Sequence, residues 1–130
     1  MYKKDISILK HIEVYCETIR NTLLRFGMEY EIFESDIDYR NSISMSIMQI
    51  GELSTHLSEE FREETSSHIP WRLIKGMRNH FAHGYSFMDS KDIYETAIND
   101  IPFLEKQIKN ILIPKVENQI EESMDFEIEM

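Results

Sequence analysis

Cations, cysteine, glycine and proline are all scarce in this chain of 130 residues. Lys and Arg total 14 against 24 Asp and Glu, a formal net charge of −10 and a pI near 4.9. That shortage argues against a freestanding nucleic-acid binder, whose grip on phosphate normally comes from a basic surplus. A single cysteine, Cys16, excludes an internal disulfide framework and fits a reducing compartment. Four Gly and three Pro leave little turn material, which disfavours an all-β fold. No run approaches the roughly 18 apolar residues of a membrane span. The first residues, Met1 to Asp5, lead into an amphipathic segment and do not read as a signal peptide. What the chain does have is 42% hydrophobic residues, enough to exclude wholesale disorder. Its length fits one domain that buries roughly two-thirds of the unfolded surface. The expected class is a cytoplasmic, single-domain, mainly helical protein that does not engage a membrane.

The apolar residues fall in helical stripes. Ile8/Leu9, Ile12, Tyr15/Cys16, Ile19, Leu23 and Phe26 mark a first helix, with Gly27 placed for a left-handed cap. Met28 to Ser35 reads as a link. A second long helix begins near Ser35–Asp38, carries Ile43, Ile47, Ile50, Leu53/Ser54, Leu57 and Phe61, and ends in the charged stretch Glu59 to Thr65. A third is expected from about Pro70 to His83, ending at Gly84, followed by a loop over Tyr85 to Met88. Asp89 or Ser90 can cap a fourth, with the stripe Ile93, Ala97, Ile101, Leu104, Ile108 and Ile111. Pro102 should break or kink it. From Val116 onward there are six acids and no Lys or Arg, the pattern of a solvated tail. The expectation is an all-α, up-down bundle of four main helices over residues 1–115, the last kinked at Pro102, then an acidic tail over 116–130.

The 24 residues from Thr65 to Met88 contain no Asp or Glu, although the chain holds 24 of them in 130 residues. The same window holds Arg72, Lys75, Arg78 and three of the five histidines, His68, His80 and His83. A local positive field within an acidic protein suits an anionic ligand. The plainer reading is a helix that faces the acidic second helix or the tail. At about 100° per residue, with Arg72 at zero, Leu73, Ile74, Met77 and Phe81 fall between about 100° and 200°, an apolar face. Arg72, Lys75, Asn79 and His83 lie within about 60° of zero, and Arg78 falls near 240°. Arg78 and His83 are thus about 140° apart, an awkward arrangement for one copy of the helix. A second copy across a two-fold axis removes the difficulty.

The segment Arg78-Asn79-His80-Phe81-Ala82-His83-Gly84-Tyr85 resembles the RNxxxHxY signature of the HEPN superfamily, and within it the HepT-like toxins. Ile50-Gly51-Glu52 looks like the family's IGE turn. Ile69-Pro70-Trp71 looks like its IPW segment before the third helix, and Asn99-Asp100-Ile101-Pro102 like its ND-x-P junction. The resemblance as a whole is taken to cover about residues 5 to 113. The resemblance implies an all-helical homodimer that brings two Arg-x4-His motifs together. It also implies a metal-independent ribonuclease neutralised by a cognate MntA-like nucleotidyltransferase antitoxin, which transfers AMP onto the motif tyrosine, here Tyr85.

The residue types suit that chemistry. RNA cleaves itself when its 2′-hydroxyl attacks the adjacent phosphorus, so an enzyme must move two protons and stabilise added negative charge. Histidine moves protons near neutrality, with an unperturbed pKa of about 6.5. Arginine stays charged and grips phosphate oxygens with a planar fork. His83 is therefore the expected general acid or base, Arg78 the transition-state clamp, Asn79 a supporting group, and Arg72 and Lys75 candidate RNA contacts. His80 and His83 have the spacing of a metal pair, but no neighbouring Cys, Asp or Glu completes a site; no metal and no cofactor is expected. Singly, each residue has a plainer reading. Arg78 fits a surface ion pair, His83 a helix-dipole cap, and His80 a packing role beside the apolar face. Tyr85 fits a core edge, Glu52 a structural role, Trp71 a core or dimer anchor, and Gly51 a close helix contact. The alternative function is a non-catalytic HEPN binding module that serves a nucleotidyltransferase as partner and AMP acceptor.

Overall fold

A computed structural model describes residues 3–84 and 89–113, except for the side chains of 82–84. Among these residues every regular element is helical. The first helix, α1, spans Lys3–Phe26, and Ile8, Leu9, Ile12, Cys16, Ile19 and Leu23 of its stripe are buried. Gly27 ends it at φ 108°, a left-handed conformation that a Cβ would strain. Its N–H donates to the Leu23 carbonyl at 3.0 Å. The Tyr39 hydroxyl donates to the Gly27 carbonyl, also at 3.0 Å, and fastens this turn to the next long helix.

The link expected over Met28 to Ser35 contains a short helix, α2 (Tyr30–Ser35). No side chain caps its N-terminus, and its buried residue is Phe33, whose ring lies 5.0 Å from Tyr39 and 5.2 Å from Tyr94. Burial of that one ring holds the turn, a tertiary effect that leaves no periodic signature in six residues. Helix α3 spans Ile37–Ser54, capped by Asp36, which accepts from Asp38 N and Tyr39 N. It is the central helix and makes its largest contacts with α1 and α5.

The second long helix was expected to run unbroken past Leu57, but it stops at Ser54, and a separate helix, α4, spans Glu59–Thr65. Side-chain hydrogen bonds explain the break. The hydroxyls of Ser54 and Thr55 donate to the carbonyls of Gly51 and Glu52, at 2.6 and 2.7 Å, and compete with helix continuation. Ser58 then caps α4, its Oγ accepting from Phe61 N at 3.2 Å. Asp5, buried near the start of α1, accepts from Ser58 N at 2.8 Å and from Ser58 Oγ at 2.7 Å. Two helix beginnings are thereby tied together by one carboxylate.

Helix α5 spans Trp71–Gly84. The Pro70 carbonyl accepts from Leu73 N and Ile74 N, so Pro70 sits just ahead of the first turn. Trp71 is a core residue, and its Nε1 donates to Thr65 Oγ1 at 2.8 Å, joining α5 to α4. The loop expected over 85–88 lies outside the described residues. Asp89 caps α6 (Ser90–Glu95), as expected, by accepting from Lys91 N. A π-helical turn, Thr96–Asp100, follows directly, then α7 over residues 101–113. The irregularity expected at Pro102 takes the form of this turn. Ile101 N–H reaches back to the Thr96 carbonyl, which widens the helix ahead of the proline ring. The buried stripe holds from Ile93 through Ile108 and then favours Leu112 over Ile111. The four main helices are therefore α1, α3, α5 and the α6–α7 run. No helix among the described residues is long and apolar enough to cross a membrane. The acidic segment 116–130 lies outside the described residues.

Candidate active site

The site begins with a glycine. A Cβ built on Gly51 of α3 would lie 2.5 Å from Arg78 Cβ and 3.2 Å from Arg78 Cα, so α5 crosses α3 at the closest approach that glycine permits. This contact corrects the expected face of α5. Leu73, assigned to the core by the helical wheel, is 70% exposed, and Met77 is only partly buried. Ile74 and Phe81 are buried as expected and Trp71 joins them, which rotates the packed face by about 60° toward Arg78. Arg78 is thus not on a flank. Its backbone is part of the α3–α5 contact.

Its guanidinium is held by two neighbours. Arg78 Nε donates to Glu52 Oε2 at 2.8 Å, and Nη1 donates to Asn79 Oδ1 at 3.2 Å. The other Glu52 oxygen lies 3.7 Å from His56 Nε2, one turn along α3 and its break. The pair is semi-exposed, with 39% of the Arg78 side chain and 44% of the Glu52 side chain open to solvent. From the sequence Glu52 reads as a structural or interface group, with no link to Arg78 or His56. The available signal was the i, i+4 spacing of Glu52 and His56, beside a glycine that invites a second helix.

The remaining predicted residues divide clearly. Asn79, Arg72 and Lys75 are exposed. His80 is exposed too, contrary to the packing role expected of it, because rotation of the buried face turns it away from the core. His83 lies in the last turn of α5, with its side chain outside the described residues, and Tyr85 lies outside them entirely. Helix α5 remains regular through Gly84, so positions 78 and 83 stay about 140° apart around its axis. Arg72 and Lys75 share a shallow depression with Glu59, Arg62 and Glu63 of α4 and its neighbour Ser66. The window that is free of acids in sequence therefore has Glu52, Glu59 and Glu63 beside it in space. The plainer reading of the charge pattern, a helix facing acidic neighbours, is part of what the structure contains.

The cysteine is shielded. Burial pushes the Cys16 thiol up from 9.0 to about 12, reinforced by Glu105 and Glu13. It is therefore a protonated core side chain and a poor nucleophile at neutral pH. Among the described residues no three His, Cys, Asp or Glu side chains gather as a metal-binding group.

An all-helical bundle is what the HEPN resemblance led one to expect. A family profile described as Ribonuclease HepT-like matches residues 8–111, nearly the span of that resemblance, and the chain belongs to this ribonuclease family. It is 38% identical over 104 residues to "Putative RNase TTE0752" of Caldanaerobacter subterraneus subsp. tengcongensis, covering 80% of this chain and 90% of that protein. It is 31% identical over 125 residues to "Putative RNase MJ1216" of Methanocaldococcus jannaschii, covering 95% of this chain and 100% of that protein. Identity to "Probable ribonuclease HepT" of Thermococcus cleftensis is 27% over 82 residues, covering 63% of this chain and 74% of that protein. No solved structure matches the chain significantly.

Proposed function

We propose that this chain is the toxin of a type VII-like HepT/MntA pair, a metal-independent endoribonuclease that acts as a homodimer in the cytoplasm. The observation that carries this reading is Arg78. In a HepT-like ribonuclease chain, the arginine of the motif is anchored at a helix crossing with 39% of its side chain open to solvent. That geometry suits a fixed cation that receives a phosphate. RNA supplies its own nucleophile. The 2′-oxygen bonds to phosphorus as its proton passes to a base, and the 5′-oxygen departs as it takes a proton from an acid. The products are a 2′,3′-cyclic phosphate and a 5′-hydroxyl, and no water needs metal activation in this step. His83 is the proposed acid or base, Arg78 stabilises the charge on phosphorus, and Asn79 steadies Arg78. Exposed Arg72 and Lys75 meet the RNA backbone. The roughly 140° between positions 78 and 83 favours a site shared by two copies, in which each complements the other.

Inhibition follows from charge and volume. A nucleotidyltransferase antitoxin that places AMP on Tyr85, two residues beyond His83 in sequence, adds a bulky anion that would compete with RNA phosphate. The test is RNA cleavage by purified, unmodified protein in EDTA. Cleavage by the wild type, lost in both Arg78→Ala and His83→Ala, is the expected result. Intact RNA with the wild-type protein overturns the nuclease reading and leaves the AMP-acceptor module. An unchanged Tyr85 peptide mass after incubation with ATP and the partner overturns the AMP transfer.

A further inference from the structure

We infer that Glu52 is a positioning residue for the ribonuclease reaction, fixing the orientation of the Arg78 guanidinium while moderating its pull on RNA. This inference rests on the nuclease reading above. Three observations carry it. Gly51 brings the Arg78 backbone against α3, with no room for a Cβ between them. The next residue, Glu52, then meets Arg78 Nε at 2.8 Å. Asn79 accepts from Nη1 of the same guanidinium at 3.2 Å. An arginine has five N–H donors in a rigid plane; among the described residues two are engaged, one on each edge of the fork. The two acceptors fix both the tilt and the spin of the plane, and the remaining Nη donors are the ones that would meet an anion. A carboxylate at this place does a second thing. It offsets the positive charge of Arg78, so a phosphate in the ground state is held less tightly than a lone guanidinium would hold it.

These two effects act on different kinetic quantities, which separates positioning from simple support of the fold. The Glu52–Arg78 pair is semi-exposed, and pairs of that kind add little to stability. In Glu52→Ala the melting temperature should therefore stay within about 4 °C of wild type. The turnover number should fall by roughly ten- to a hundred-fold, because the guanidinium loses its orientation. KM for a short RNA should fall rather than rise, because a negative charge beside the phosphate is gone. Glu52→Gln keeps an oxygen that accepts from Nε, so it should recover most of the turnover while keeping the lower KM. The Arg78 Nε–Hε resonance in a 15N spectrum should be protected in wild type and Glu52→Gln, and lost into exchange in Glu52→Ala.

Arg78→Ala runs alongside as the control for the parent reading. If Arg78→Ala cleaves like wild type, the nuclease assignment of Arg78 fails, and this inference with it. If Arg78→Ala is inactive while Glu52→Ala turns over at or above the wild-type rate, Glu52 is not a positioning residue and the parent reading stands. A large drop in melting temperature with parallel losses in both Glu52 variants assigns Glu52 to the fold alone and also overturns the inference.

Discussion

Replacement of Gly51 by alanine isolates the contact on which the candidate site is built. The added Cβ would lie 2.5 Å from Arg78 Cβ, whereas carbon atoms rest at about 3.5–4.0 Å. Arg78 Cβ is fixed to the α5 backbone and cannot swing away as a side-chain tip would. The helices must therefore part by roughly 1 Å at their crossing. Overpacking of this sort costs about 1–3 kcal/mol, while the change from glycine to alanine within a helix returns about 1 kcal/mol. Gly76 of α5 supplies the reference, because a Cβ there meets nothing within 4 Å. Gly76→Ala gains the propensity term without the clash. The difference between the two variants removes that term and leaves the clash, about 1–3 kcal/mol, or roughly 4–12 °C in melting temperature. The expected order is Gly76→Ala above wild type and Gly51→Ala lowest or level with wild type. Displacing Arg78 from its partners by roughly 1 Å should also lower RNA cleavage by ten-fold or more. Thermal melts of the three proteins and one cleavage time course decide it. Equal melting temperatures for the two alanine variants would refute the close-approach reasoning, as would full activity in Gly51→Ala.

Asp5→Ala removes the carboxylate that accepts from both Ser58 N and Ser58 Oγ, and should lower stability by about 2–3 kcal/mol in a urea titration. Burial holds the Cys16 proton until about pH 12, against an ordinary 9.0. The unfolded thiol ionises first, so stability present below pH 9 declines as pH rises from 9 toward 12. Cys16→Ala should show a shallower decline between pH 8 and 10.5, and a parallel course for both proteins would contradict this. The doubly substituted Arg72→Ala/Lys75→Ala protein should bind single-stranded RNA with a weaker salt dependence. The expected drop in slope is about 0.7 per lost phosphate contact, and an unchanged slope would remove both residues from the RNA interface.

The parts of the fold that could be read directly from the sequence are those where one helix face meets one core. The stripe on α1 and the Gly27 cap both fall where the spacing puts them. So do Ile43, Ile47, Ile50 and Ser54 of α3 and the run from Ile93 to Ile108. What periodicity did not reveal depends on partners elsewhere in the chain. Helix α2 exists because Phe33 reaches Tyr39 and Tyr94. The interruption after Ser54 comes from hydroxyls that take backbone carbonyls, and from Asp5, 53 residues before the serine it holds. The face of α5 was misplaced for a related reason. An ideal wheel ranks Leu73 and Met77 by hydrophobicity alone, while the actual contact is decided by the missing side chain of Gly51. The motif identified Arg78, but its pairing with Glu52, 26 residues earlier, is a property of the crossing.

The same geometry explains how an acidic chain can accommodate RNA chemistry. Each cation assigned to the RNA has a carboxylate nearby: Arg78 has Glu52, and Arg72 and Lys75 share their depression with Glu59 and Glu63. Such an arrangement lowers the ground-state affinity for any polyanion. For a nuclease that is no handicap, because uniform binding of substrate and transition state does nothing for turnover. In the proposed reaction, charge develops on the phosphorus oxygens as the 2′-oxygen attacks, and a guanidinium already held in orientation by Glu52 and Asn79 would meet that charge without reorganising. The partial neutralisation that argues against tight RNA binding is therefore compatible with, and on the nuclease reading favours, cleavage followed by release. The prediction it makes is directional: removing Glu59 or Glu63 should tighten RNA binding without raising the turnover number. A turnover number that rises with affinity in Glu59→Gln or Glu63→Gln would mean that these carboxylates oppose the transition state itself, and not only the bound RNA.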